Sequence, residues 1–347
     1  MPDIQLRFQR DMLVLSAPID TALARQGVNV ALDRQYLNLM EPEAITDALR
    51  LETIAGAQCV VATTEDITQA RLAHLRMDAD AQQLAHAAIT AAQRVKPQHL
   101  LVEIGPCGLP LDASSKASLN ENRAQYANAA RAFADEEIDA FFLNGFSSIA
   151  DLKCALMGLA QVSDRPVFAS VALGRCDWTA QEADAQPEKE QQASRGEKPE
   201  VSLPFGGGYV AVDETIAPPL PAASRARLAL EAWPEAIDAM ADLGASVVGF
   251  ETADPIADAL TYAKIAVERT NLPILAQLRV TNAPSGAAAK NLVPLEDIDE
   301  YTPDTMANAA VKLYGAGVQF LRATGAATPA YTGALAATVT GLDVRRL

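Results

Sequence analysis

The chain has 347 residues, half of them hydrophobic, and its 44 acidic and 28 basic side chains give a formal charge of -16. That apolar content can bury a large core, and barrel-type domains routinely reach this length, whereas the negative balance argues against phosphate backbones and anionic lipid as partners. The opening MPDIQLRFQRD has neither a basic start nor an apolar h-region, and no apolar run approaches the roughly 20 residues of a membrane span, so a cytoplasmic location without membrane contact is expected.

In chain order, short β-branched apolar runs recur, each followed by an Ala-rich stretch with helical spacing. The predicted strands are Leu13–Pro18, Cys59–Thr64, His99–Pro106, Ala140–Gly145, Pro166–Leu173, Ser246–Thr252, Pro273–Val280 and Gly317–Thr324. Strand-then-helix alternation predicts a parallel sheet covered by helices. Eight such units, with no Gly-x-Gly-x-x-Gly turn after the first strand, predict an α/β fold of the (β/α)8 TIM barrel type rather than an open dinucleotide-binding sheet. One domain spanning residues 1–347 is expected, with a polar insertion at about 177–205 between the fifth and sixth strands. The insertion reads as a solvated loop, since polar insertions cost little. A lid or partner-docking arm is the alternative, because βα loops stand over the active face of a barrel.

Cys59, Cys107, Cys154 and Cys176 form no C-x-x-C pair, and His74, His86 and His99 lie in no metal-binding motif, so neither a disulfide framework nor a sequence-local zinc site is indicated.

Seven segments in fixed order carry a resemblance. They are NLMEP at 38–42, AGAQCVVATT at 55–64, VEIGPCG at 102–108, QYANAAR at 125–131, DAFFLN at 139–144, MADLGASVVGF at 240–250 and GVQFLRATGAATP at 317–329. Together they resemble the homocysteine S-methyltransferases, a family that includes the homocysteine-binding barrel of methionine synthase and betaine–homocysteine methyltransferase. The resemblance implies a TIM-barrel transferase in which three cysteine thiolates, one from the sixth strand and two adjacent from the eighth, hold a zinc ion that keeps homocysteine nucleophilic at neutral pH. Here those positions are Thr252, Thr324 and Gly325. No tightly bound cofactor is therefore expected, zinc included; Cys107 and Cys176, just beyond strand ends, would make only an incomplete replacement shell.

The family also holds the substrate amino group with carboxylates after the first strand and at the end of the fourth, where this chain has Ser16 and Asn144. Asp20 remains nearby and reads as the N-cap of the following helix. New charges stand near the ends of strands three, six, seven and eight: Glu103, Glu251, Arg279 and Arg322. Strand ends are where barrels place function. Two arginines there could grip an anion, or all four could form an ion-pair network filling an altered pocket. Arg279 and Arg322 are expected to project into the mouth with Glu103 or Glu251.

The candidate site is thus Ser16, Glu103, Asn144, Glu251, Thr252, Arg279, Arg322 and Thr324, with no catalytic residue assigned and no metal ligand. The expected ligand is a small anionic or amino-acid-like molecule, and the expected macromolecular partner, if there is one, a corrinoid or other methyl-carrier protein. Two functions follow: a divergent barrel transferring methyl groups with a non-homocysteine acceptor or a corrinoid partner, and a catalytically silent barrel that binds a ligand or protein. Ordinary homocysteine methylation ranks third.

Overall fold

The computed structural model describes residues 3–77, 80–173, 222–281 and 301–344. Eight strands lie parallel: β1 Leu13–Val14, β2 Cys59–Ala62, β3 His99–Ile104, β4 Ala140–Phe146, β5 Val167–Ala172, β6 Val247–Thr252, β7 Ile274–Val280 and β8 Phe320–Gly325. Each pairs with its sequence neighbour from β2 to β8. β1 pairs with β8, and a parallel bridge from Leu15 to Cys59 joins its other edge to β2, so the sheet closes on itself. This is the predicted (β/α)8 barrel. All eight predicted strands are present, most with trimmed ends, while β4 and β8 run one residue further, to Phe146 and Gly325; the last begins at Phe320 rather than Gly317 because Gly317, at φ 90°, is still in the turn out of the preceding helix.

The helices are α1 Asp20–Arg25, α2 Val30–Met40, α3 Pro42–Ala55, α4 Gln69–His74, α5 Ala81–Gln93, α6 Lys116–Arg131, α7 Ile149–Leu159, α8 Ala222–Asp242, α9 Ile256–Arg269, α10 Pro303–Gly315 and α11 Pro329–Val339. Their ends follow local chemistry. Pro42, Pro303 and Pro329 occupy first turns, where a missing N–H costs nothing; Gly56 ends α3 in the left-handed region; Thr302 and Thr305 form a reciprocal capping box on α10. Asp20 departs from expectation. Ile19 is the N-cap and Asp20 the first helical residue, its carboxylate drawn away from the backbone by the Arg34 guanidinium at 3.0 and 3.2 Å. No helix among the described residues is long and apolar enough to cross a membrane. The insertion predicted at 177–205 lies outside the described residues.

Strand alternation divides the core. One set of side chains, including Val60, Val102, Phe141, Val248, Ala276 and Leu321, packs outward against the helices. The other set, from all eight strands and including Leu13, Val61, Leu101, Phe142, Phe168, Val247, Leu275 and Phe320, meets in the lumen. There the Phe168 ring stands edge-on to Phe320 and Phe142, closing the floor of the barrel with apolar surface. Two residues further along the same faces the lumen becomes polar, because the period of a strand is two.

Candidate functional site

Above Phe142 lies Arg322 of β8, its guanidinium carbon 5.2 Å from the ring centroid and its side chain only 2% exposed. Its Nε donates to the Ser16 carbonyl at 2.9 Å, Nη1 to Gln277 Oε1 at 3.3 Å and Nη2 to Glu103 Oε2 at 3.0 Å. Asn144 Nδ2 donates to the other oxygen of Glu103, and Gln277 Nε2 donates to Asn144 Oδ1, each at 2.7 Å. Arg322, Glu103, Asn144 and Gln277 thus form a closed ring of hydrogen bonds contributed by β8, β3, β4 and β7, and Ser170 Oγ on β5 accepts from Gln277 at 2.7 Å. A buried ion pair is tolerated only when its remaining polar atoms find partners, and the ring supplies them. At Asn144 the β4–β5 register shifts and Gly145 adopts φ 78°, a local irregularity of the kind that re-aims side chains at barrel rims.

One step higher, the Glu251 carboxylate of β6 uses a single oxygen, Oε1, to accept from Arg279 Nη1 and from Thr324 Oγ1, both at 2.9 Å. Across the mouth, Arg34 of α2 contacts three acids: Asp20 at 3.0 Å, Asp66 at 2.9 Å and Glu65 at 2.7 Å. Burial works against its charge, but Glu65, Asp20 and Asp66 together hold the guanidinium above its ordinary range. Glu65 sits in the loop after β2, strapped to the end of β3 by the Gly105 N–H on the Glu65 carbonyl and by the Thr64 hydroxyl on the Glu103 carbonyl. Desolvation within the concave wall, opposed by Arg34 and reinforced by the Glu103, Asp66 and Asp20 carboxylates, pushes the Glu65 carboxyl up to about 7. Its side chain nevertheless keeps 40% of its surface open.

Most of these groups line an open cavity of about 990 Å³ at the C-terminal ends of the strands; Gln277, Ser170 and Asp66 lie behind its wall. Its described wall carries the acids Asp20, Glu65, Glu103 and Glu251 and the bases Arg25, Arg34, Arg279 and Arg322. The described lining of this cavity is therefore balanced in formal charge, although the chain as a whole is strongly acidic.

Of the eight residues singled out from sequence, Glu103, Asn144, Glu251, Arg279, Arg322 and Thr324 line this cavity. Ser16 and Thr252 do not. Both have the outward parity of their strands, and both hydroxyls are engaged: Ser16 Oγ accepts from the Val61 N–H at 3.0 Å and Thr252 Oγ1 from the Asp254 N–H at 3.0 Å. Sequence reasoning missed Glu65 and Arg34, which line the cavity, and Gln277 and Ser170, which complete the buried network beneath it. Gln277 was within reach of the alternation argument, being two residues before Arg279 on the same face, and Glu65 directly follows a predicted strand end. Arg34 carried no such signal, because only the folding of α2 back over the mouth brings it there.

The three positions where the resemblance implies zinc ligands do not fit a metal. Thr252 caps the turn at Asp254, the Thr324 hydroxyl is directed at Glu251, and Gly325 has no room for a side chain unless the backbone shifts: at φ 67° a Cβ would lie 2.4 Å from the Val280 carbonyl oxygen. Cys107, one of the two thiols considered for a replacement shell, is 1% exposed; its thiol donates to Asn122 Oδ1 at 3.1 Å, and burial pushes its pKa upward. It follows Gly105-Pro106 into a pocket closed by the Tyr126 hydroxyl, which accepts from the Cys107 N–H at 2.9 Å. Cys176 lies outside the described residues. No group of three or more His, Cys, Asp or Glu among the described residues could hold a metal ion.

Comparison with known proteins points in one direction. The family model described as homocysteine S-methyltransferase matches residues 13–202, more than half of the chain. No curated protein sequence matches significantly. Among solved structures, the homocysteine methyltransferase MmuM from Escherichia coli is similar in its metallated form, with a TM-score of 0.62 at 15% identity, and in its oxidized form, with 0.63 at 14%; in each case 94% of this chain and 96% of that one are covered. At such identities the likeness is one of fold.

Proposed function

We propose, for a chain that belongs to the homocysteine S-methyltransferase family, a methyl-transfer barrel that works without zinc and takes an acceptor other than homocysteine. The supporting observation is the contrast at the mouth. The positions implied for zinc thiolates hold two engaged hydroxyls and a glycine with no room for a side chain, yet the cavity beside them stays open and polar. An inert scaffold has no need to keep about 990 Å³ of charged cavity from filling with apolar side chains.

Without a metal to lower its pKa, an acceptor N–H or O–H needs a base close to neutrality. Among the described residues of the wall, Glu65, pushed up to about 7 and open to the cavity, is the group with that property. In the proposed step the acceptor's lone pair forms the new bond to carbon, the methyl group leaves an onium donor or a carrier protein with the bonding pair remaining on the donor, and the acceptor's proton passes to the Glu65 carboxylate. Glu251 and Arg279 orient the acceptor from the opposite wall.

A silent ligand-binding barrel is the second reading, favoured by one observation: Arg322 and Arg279 are each already paired with a glutamate. Incubation with methyl-labelled donors and a panel of amines and hydroxyl compounds separates the two, since only the first reading predicts label transfer, abolished in Glu65→Gln. Homocysteine serves as the control. Zinc-dependent labelling of homocysteine, or micromolar binding of it by calorimetry, corresponding to about -8 kcal/mol, would overturn the proposal.

A further inference from the structure

The two arginines on the lumen face are not equivalent. Arg322 is sealed, with three hydrogen-bonded partners and a phenylalanine ring beneath it. Arg279, on the penultimate residue of β7, keeps 35% of its side chain exposed. It uses only Nη1, on Glu251, and among the described residues its Nε and Nη2 make no hydrogen bond. From this we infer that the β7–β8 side of the mouth is an oxyanion subsite centred on Arg279, which takes a carboxylate or phosphoryl group of the ligand.

Three observations carry the assignment. The first is preorganisation. A Cβ at Gly325 would lie 2.8 Å from Arg279 Cγ, so the bare glycine is what lets the arginine stem lie across the end of β8. A guanidinium whose stem is fixed loses little freedom when an anion arrives, and its planar fork suits two oxygens at once.

The second is the weakness of the existing partner. The Glu251 oxygen that accepts from Arg279 also accepts from Thr324, which divides its hold. Glu251 thus aims the arginine without occupying its remaining donors.

The third is the local field. Arg25 lines the same cavity, is exposed, and makes no ion pair among the described residues. With Arg34 and Arg322 tied to their own carboxylates, Arg25 and the open edge of Arg279 are, among the described residues of the wall, the cationic groups left to meet an anion. The described lining is balanced in formal charge despite the charge of -16 on the whole chain, so an anion is not turned away by these residues. Carboxylate and phosphoryl groups present the same pair of oxygens to a guanidinium, and the chemistry shared between them is bidentate recognition.

The inference rests on the mouth being a ligand site and is independent of methyl transfer. The test is calorimetry on the full chain at low ionic strength with inorganic phosphate, pyrophosphate and malonate as probes, without any methyl donor. At least one probe should bind, and whether phosphate or malonate binds more tightly assigns the ligand group. Arg279→Gln should weaken binding tenfold or more, Arg279→Lys should restore part of it, and Glu251→Gln should strengthen it several-fold by removing the competing carboxylate. That last sign distinguishes the subsite from a structural ion pair, for which Arg279→Gln and Glu251→Gln would both lower the melting temperature and leave anion binding untouched. Absence of binding to both the wild-type chain and Glu251→Gln, or undiminished binding to a folded Arg279→Gln, overturns it. A chain that binds these anions but transfers no methyl group retains the subsite and loses only the proposed reaction.

Discussion

Arg322 of β8 and Glu103 of β3 meet across the barrel lumen, Nη2 to Oε2 at 3.0 Å, with Gln277 and Asn144 completing the ring around them. Removing one member of such a pair leaves the other charge buried without compensation, at a cost of about 3–5 kcal/mol. Glu103→Ala and Arg322→Ala should therefore each strongly destabilise the chain in urea titrations. The double variant Glu103→Leu/Arg322→Met should lose much less than the sum. Losses that add to within about 0.5 kcal/mol would show that the two residues do not act as a unit.

Gly325 makes a second, local prediction. At φ 67°, with a Cβ 2.4 Å from the Val280 oxygen, alanine must move the end of β7 or leave its own backbone conformation. Gly325→Ala should cost more than about 1 kcal/mol. Installing adjacent cysteines as Thr324→Cys/Gly325→Cys should likewise lower the melting temperature without recruiting stoichiometric zinc, as measured by elemental analysis. One zinc per wild-type chain, lost on substituting Cys107 or Cys176, would refute the zinc-free assignment.

Glu65 gives the pH dependence its direction. Its carboxyl titrates near 7 in the fold, against an ordinary value of 4.5. A carboxyl raised on folding favours the native state when protonated, so its contribution is fully present below about 4.5 and is lost as pH rises through about 7. The melting temperature of the wild-type chain should accordingly fall more between pH 5 and pH 8 than that of Glu65→Gln, measured side by side. Parallel curves would remove Glu65 as the group responsible.

The thiols provide a check on the inner packing. Cys59, Cys107 and Cys154 are buried, and burial raises the pKa of each. Reactivity requires thiolate and access, so iodoacetamide at pH 8 should leave all three unmodified in the native chain and alkylate them in urea. Rapid native labelling of Cys107 would mean that the loop after β3 opens from the Tyr126 hydroxyl that holds it.

The barrel was legible in the sequence because repetition is a local signal. Eight apolar runs with Ala-rich helical stretches between them leave few parallel arrangements, and the ordered segments from NLMEP at 38–42 to GVQFLRATGAATP at 317–329 pointed to the family that the comparison identifies. Much of the wall was legible for a related reason: Glu103, Glu251, Arg279 and Arg322 are charges at strand ends, where a core residue would be apolar. Alternation would have removed Ser16 and Thr252 from the site and added Gln277, since a strand's period fixes which neighbours share the lumen once a single inward residue is known.

Partners are a different matter. Nothing local joins Arg34 to Glu65 and Asp66, Arg322 to Glu103 across 219 positions of sequence, or Arg279 to the bare backbone of Gly325. The sequence by itself determined the number of strands, which side chains of a strand share a face and the chemical types available near the strand ends, because these depend on residue order and strand period. Only the tertiary structure decided which charges neutralise one another, that the Glu65 carboxyl is pushed upward, and that among the described residues Arg279 keeps donors without a partner while Arg322 is held by three. Those properties depend on distances and desolvation between groups that become neighbours only when the barrel closes.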